Sequence, residues 1–284
     1  MSDMSKFLTF APPGHYYSPL PDYAQVQARY HQFVPTPTDG LPGIDLNEPG
    51  QLALLDQLAA FAPDLPYTDN PGGPTRYYYE NAYFPRGDGI VTTCLLRHSQ
   101  ARRVIEIGSG YSSALMLDVK DRFAPDLDLI CVEPDAKRLR SLLRPGDTDR
   151  FRLVEDTLDA VDDTLFDSLQ ANDVLFIDSS HVAKIGSDVS RIVFRILPRL
   201  AVGVFVHIHD IFWPFEYPRQ WYAEGRAWNE APFVRSFLMF NRAFQIVYFN
   251  HYMAAVHADD VAKRLPDCLR QPGGSLWIRR VAAD

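Results

Sequence analysis

Between residues 103 and 208 the chain alternates short apolar runs with stretches of helical spacing, and this alternation is its strongest structural signal. Strand-length apolar runs occur at 103–108, 128–133, 151–155, 173–178 and 202–208. Helical patterns lie at about 89–98, after Ser112, from Asp135 to Leu143, and over about 158–169 and 184–197. Such alternation predicts an α/β fold with a parallel sheet and helices on both faces. Beyond it the pattern predicts a helix over about 230–241, a strand over 244–249 and a closing strand from Ser275 to Arg279. Residues 1–45 show no sustained period and read as an extended arm whose aromatics, Phe7, Phe10, Tyr16, Tyr17 and Tyr23, point to docking. Asn47 is placed to cap a helix with Pro49 in its first turn and an apolar stripe through Leu52, Leu55, Leu58, Ala59 and Phe61. The expected division is an arm and cap over 1–85 and a sheet domain over 86–284.

The first strand runs into Glu106-Ile107-Gly108-Ser109-Gly110-Tyr111-Ser112-Ser113, a glycine turn opening a helix. Gly108 and Gly110 allow backbone to approach a ligand closely, and the N–H groups of the helix starting near Ser112 offer donors. A carboxylate at Glu106, two residues before the first glycine, suits a cationic or hydroxyl-bearing ligand better than an anionic pyrophosphate. The turn also lacks the third glycine of a dinucleotide-binding fingerprint.

These residues resemble the first motif of the class I S-adenosylmethionine (SAM) methyltransferases, an apolar strand ending in Glu/Asp-x-Gly-x-Gly. The resemblance implies a Rossmann-like, doubly wound, seven-stranded sheet, mostly parallel with an antiparallel last strand. It also implies SAM as cofactor, held near Glu106, Gly108, Ser109, Gly110 and Ser112. Glu133, about 25 residues past the glycine turn, stands where an acidic side chain accepts both ribose hydroxyls. It is equally placed to cap the helix opening at Asp135. After the third strand, Asp156 is the residue that similar enzymes would use for the adenine amino group, with Thr157 beside it; either one also reads as an N-cap. For the methionine end of SAM, the resemblance points to Asn81, Tyr83 or Asp88.

A second constellation lies at the ends of the fourth and fifth strands, Asp178-Ser179-Ser180-His181 and His207-Ile208-His209-Asp210. Carboxyl ends of parallel strands face the ligand crevice, so Asp178, His209 and Asp210 are expected to converge there. Two carboxylates and an imidazole suit Mg²⁺, Mn²⁺ or Fe²⁺ better than zinc. The set resembles that of metal-dependent O-methyltransferases of the catechol and macrocin type. It departs from them in carrying His209-Asp210 where they carry Asp-Asp or Asp-Asn. Strand alternation also separates His209 from Asp210 unless the chain turns at Ile208. A metal-free reading has Asp178 on SAM and His209 as base. His181, three residues after Asp178, is the candidate general base, and the macrocin-type enzymes place such a His there. His207 reads as structural, and the aromatic loop from Phe212 to Trp228 reads as a pocket wall or a packed lid.

Charge narrows the partners. With 36 acidic against 28 basic residues, a net charge of −8 and no basic run, nucleic acid and anionic membranes are disfavoured. Three scattered cysteines and no leader-like or membrane-length apolar run point to the cytoplasm. The expected function is SAM-dependent methyl transfer to a hydroxyl of a small molecule or sugar, in a chain free to form a homodimer. Three rivals stay open: closure of a ring within SAM with release of methylthioadenosine, an NAD-linked oxidoreductase, and a non-catalytic SAM-binding subunit.

Overall fold

A computed structural model of the protein describes residues 10–34 and 40–283, so Phe7 of the arm's aromatic set lies outside the described residues. Seven strands form one sheet: β1 (Arg103–Ile107), β2 (Asp128–Val132), β3 (Arg152–Val154), β4 (Val174–Ile177), β5 (Phe205–Ile208), β6 (Phe244–Phe249) and β7 (Leu276–Arg280). Their order is β3-β2-β1-β4-β5-β7-β6. The first five pair in parallel, while β7 runs antiparallel between β5 and β6. β1 and β4 are buried almost throughout, as strands covered on both faces must be. The chain order reverses between β1 and β4, which opens a crevice at the carboxyl ends of these strands.

The helices are α1 (Tyr23–Phe33), α2 (Glu48–Ala59), α3 (Arg86–Ser99), α4 (Tyr111–Arg122), α5 (Lys137–Leu142), α6 (Asp188–Arg191, continuing as a π turn over Ile192–Ile196), α7 (Arg219–Ala223), α8 (Glu230–Leu238), α9 (Asn250–Val256) and α10 (Ala258–Arg264). None of the described helices is long and apolar enough to cross a membrane. Leu55 and Leu58 of α2, with Tyr77, Tyr79 and Phe84, belong to the same hydrophobic cluster as the sheet.

Four expectations need correction. The arm is not extended throughout: α1 forms with Asp22 as its N-cap, accepting from the Gln25 N–H at 3.0 Å. It lacked a periodic signal because none of its residues is buried. Nor do Phe10, Tyr16 and Tyr17 dock; they are exposed and pack on one another and His15. Asn47 does not cap α2 with its side chain; it takes a left-handed φ of 48° and donates to the Ile246 carbonyl at 2.8 Å. The helix expected over 158–169 is two 3-10 turns, Leu158–Ala160 and Asp163–Ser168. There the Arg191 guanidinium donates to the Leu158 and Val161 carbonyls and to Asp163, supplying partners that a helix would otherwise have to provide.

One buried ion cluster ties the segment before α3 to the sheet domain. The Arg76 guanidinium reaches Asp118 at 2.8 Å, Asp121 at 2.7 Å and Asp147 at 2.5 Å. Asp118 also accepts from the N–H groups of Arg76 and Tyr77. Replacing Arg76 by Met leaves the buried Asp118 without its cation and Asp121 and Asp147 with only the half-buried Arg150. Arg76→Met is expected to lower unfolding free energy by about 3–5 kcal/mol, the usual cost of breaking a buried pair on one side, as measured by urea denaturation.

Candidate active site

The glycine turn is shaped by a steric requirement. Gly108 has φ of +85°, and a Cβ placed on it would lie 1.8 Å from the Asp178 carbonyl oxygen. Its N–H donates to Val132 O at 2.9 Å, and the Asp178 N–H donates to Ile107 O at 2.8 Å, so the ends of β2, β1 and β4 are held together. The turn's donors are already engaged: Ser109 N–H donates to Glu133 at 3.0 Å and Gly110 N–H to Ser113 Oγ at 3.0 Å.

Glu106 does not face the cleft. It is fully buried under the turn, where its carboxylate accepts from Ser112 Oγ at 2.6 Å, from Ser113 Oγ, and from Cys131 Sγ at 3.2 Å. Ser112 is thereby also turned inward. Burial raises the Glu106 carboxyl to about 7, against these hydrogen bonds, which favour its charged form.

A cleft of about 910 Å³ opens at the carboxyl ends of the strands and brings together Ser109, Glu133, Asp178, His181, His209 and Asp210, with Asn81 at its edge. Glu133 accepts from two backbone N–H groups, Ser109 at 3.0 Å and Asp135 at 2.8 Å. Asn81 spends its amide on its own loop, donating to Tyr78 O and Phe84 O and accepting from the Tyr83 and Phe84 N–H groups. Asp88 is buried away from the cleft, accepting from Asn250, Gly274 and Ser275, and burial raises its carboxyl to about 6. Asp156 and Thr157 are exposed and do not line the cleft; Asp156 accepts from the adjacent Thr157 N–H at 2.7 Å, and Thr157, at the N-cap of the Leu158–Ala160 turn, makes no side-chain capping bond. His207 is buried against Phe176 at 3.7 Å and bonded to Ser275 Oγ at 2.7 Å, in keeping with a structural role.

At the floor, His181 and Asp210 both adopt left-handed backbone, φ 59° and 56°. β5 stops at Ile208 and the turn at Asp210 brings His209 and Asp210 to one side, the condition strand alternation had imposed. The His181 ring sits among three carboxylates: Nδ1 lies 2.8 Å from Glu230, and Nε2 lies 3.5 Å from Asp178 and 3.7 Å from Asp210. Burial disfavours a charged ring here, but Asp178 and Glu230 outweigh it and hold the His181 pKa well above the ordinary value. Unit charges about 4 Å apart attract by about 4 kcal/mol at an effective dielectric near 20, so several such neighbours reverse the burial penalty. Asp178 is likewise affected by burial, yet His209 and His181 pull its carboxyl down to about 2.

This geometry does not fit a resident divalent ion. Among the described residues no three His, Cys, Asp or Glu side chains converge in a way that could hold one. His209 Nε2 is 3.5 Å from Asp210, and the His181 ring itself stands between Asp178 and Asp210, where an ion bridging those carboxylates would lie. The expected metal set of Asp178, His209 and Asp210 is therefore corrected: it forms an imidazole–carboxylate cluster.

Sequence reasoning missed Glu230, 49 residues beyond His181 and 2% exposed, and the buried Ser179 hydroxyl, which has no hydrogen-bond partner among the described residues and lines the cleft. It also left the aromatic loop undivided. Trp213, Phe215 and Tyr217 are core residues, whereas Phe212, Trp221 and Trp228 line the cleft, with Arg226 stacked over both indoles.

Residues 105–211, the segment that carries the glycine turn and strands β2 to β5, match a family model described as a methyltransferase domain. An uncharacterized protein of Archaeoglobus fulgidus is 31% identical over 167 residues, covering 57% of this chain and 74% of that one. Among solved structures, the S-adenosylhomocysteine-bound methyltransferase PaMTH1 of Podospora anserina aligns with a TM-score of 0.45 at 16% identity, over 91% of this chain and 95% of that one. The O-methyltransferase TomG of Streptomyces achromogenes, involved in tomaymycin synthesis and solved with SAM, aligns at 0.43 and 16%, over 91% and 96%.

Two outcomes are expected. Gly108→Ala forces the β1 and β4 ends apart, so SAM binding by calorimetry should be lost together with thermal stability. Glu106 has a folded pKa above its unfolded one, so the stability its protonated form contributes is present below about 4.5 and is lost as pH rises through about 7. Urea unfolding across that window should show a smaller decline for Glu106→Gln than for the natural chain.

Proposed function

We propose that this methyltransferase transfers the methyl group of SAM to a hydroxyl of a small molecule or sugar, with His181 as the base that takes the hydroxyl proton. The carrying observation is the His181 ring at the cleft floor, with Nδ1 on Glu230 and Nε2 directed at Asp178 and Asp210. In the neutral ring Nδ1–H donates to Glu230 and leaves the Nε2 lone pair as acceptor. A proton taken there lands between Asp178 and Asp210, which stabilise the imidazolium formed. Attack on a methyl sulfonium needs alignment more than covalent assistance, so the walls that orient the acceptor carry much of the rate.

Glu133 is the residue we assign to the ribose hydroxyls. Both of its oxygens accept from backbone N–H groups, which fixes the carboxylate at the cleft wall while each oxygen retains a further lone pair. The Ser179 hydroxyl is a donor for the methionine carboxylate. The acidic floor suits the cationic sulfonium and ammonium of SAM. Phe212, Trp221 and Trp228 form the face on which an acceptor packs.

The test is calorimetric titration with SAM, followed by mass spectrometry of reactions with a panel of hydroxyl compounds. Binding and acceptor-dependent release of S-adenosylhomocysteine are expected. Methylthioadenosine as the sole product would instead establish ring closure within SAM. Because the proton acceptor must be neutral and its pKa is raised, kcat/KM should climb with pH above the ordinary histidine range.

A further inference from the structure

The aromatic loop and α8 lie beyond the matched segment 105–211, yet they hold the side chain of its His181. The N–H groups of Asn229 and Glu230 both donate to the His181 carbonyl, at 3.1 and 3.2 Å. The Asn229 side chain clasps the following turn, accepting from the Ala183 N–H at 2.6 Å and donating to the Ala183 carbonyl at 3.1 Å. Trp228 closes one face of the imidazole at a ring separation of 4.5 Å. The Glu230 carboxylate then bonds Nδ1 at 2.8 Å. Backbone, ring face and ring nitrogen of His181 are thus all set by three consecutive residues, Trp228, Asn229 and Glu230.

The three carboxylates around the ring differ in exposure. Asp178 and Asp210 have side chains 32% and 18% exposed, whereas that of Glu230 is 3% exposed. The closest partner is also the least screened by water, so it governs where the ring sits. Held in this way, the ring fills the gap between Asp178 and Asp210.

We propose that Glu230 is a positioning residue that locks the His181 ring between Asp178 and Asp210, and that this Glu–His dyad takes the place of a divalent cation in the site. The inference rests on the methyltransferase reading for its purpose, but its geometry can be tested without an acceptor. A ring nitrogen between two carboxylates supplies positive charge on protonation, which is the electrostatic part of an ion's work. It also blocks the two carboxylates from sharing an ion.

The experiment titrates Mn²⁺ into the full chain by calorimetry, with and without S-adenosylhomocysteine. No saturable binding is expected in the micromolar range where a dedicated carboxylate site would bind. Removing the ring by His181→Gly, or by His181→Asn, which tolerates the left-handed backbone, leaves Asp178, Asp210, Glu230 and His209 around a gap. These variants should gain Mn²⁺ affinity by about tenfold or more, about 1.4 kcal/mol. In ¹⁵N-histidine NMR, the natural chain should show an exchange-protected Nδ1–H that Glu230→Leu removes and Glu230→Gln, whose amide oxygen still accepts, partly keeps.

Stoichiometric micromolar Mn²⁺ binding by the natural chain would overturn the proposal. So would an unchanged Nδ1–H signal in Glu230→Leu. If His181→Gly and His181→Asn fail to fold by circular dichroism, the titration of the natural chain still decides. Failure of S-adenosylhomocysteine or SAM to bind would instead sink the functional reading and leave the dyad's geometry standing.

Discussion

The close approach of Gly108 to Asp178 is the constraint on which the rest of the site depends. Only a residue without a Cβ can stand there, because any Cβ would overlap the Asp178 carbonyl. The contact joins the ends of β1 and β4 at the point where the sheet reverses direction. It places the glycine turn and the Asp178–His181 segment side by side at the cleft. Ligand loops on two strands thereby become one surface, and the neighbouring strand β5 adds His209 and Asp210 to it.

Below that surface, charge is divided by burial. Glu106 and Asp88 are sealed in and serve the backbone: one holds the helix start through Ser112 and Ser113, the other the Gly274–Ser275 turn. Both have raised carboxyl pKa values because burial disfavours their charge. Asp178 has the opposite shift because imidazoles stand beside it. Carboxylates of similar appearance in the chain thus act in two ways, as internal braces or as the acidic floor of an open cleft. What distinguishes them is the balance of burial against charge: His209, 3.9 Å from Asp88, does not offset the burial there, whereas His209 and His181 together do so at Asp178.

How much was legible varied with the range of the cause. β1, β2, β4 and the glycine turn were readable because a buried parallel strand needs a continuous apolar run and a tight turn needs glycine. The turns at 158–168 were read as helix because the local pattern could not reveal that Arg191, more than twenty residues on, satisfies their carbonyls. Helix α1 was missed for the converse reason: its inner face, Tyr23, Val26, Gln27 and Tyr30, is only half-buried and mostly polar, so it leaves a weak apolar period. Glu106 looked like a ligand-facing carboxylate from its place before the glycines. Whether it points into the cleft or beneath it depends on Ser112, Ser113 and Cys131 arriving from the helix and the next strand.

By itself the sequence determined the kind of sheet, the turn that defines the ligand crevice and the chemistry collected around it. Those features arise from apolar runs, glycines and the residue types at strand ends, all encoded within a few positions of one another. Only the tertiary structure decided that the His181 ring stands among Asp178, Asp210 and Glu230. Glu230 lies 49 residues from its partner, on a helix that meets the site only after the aromatic loop folds back. No local pattern encodes that contact, because packing of the completed sheet, and not spacing along the chain, brings the two together.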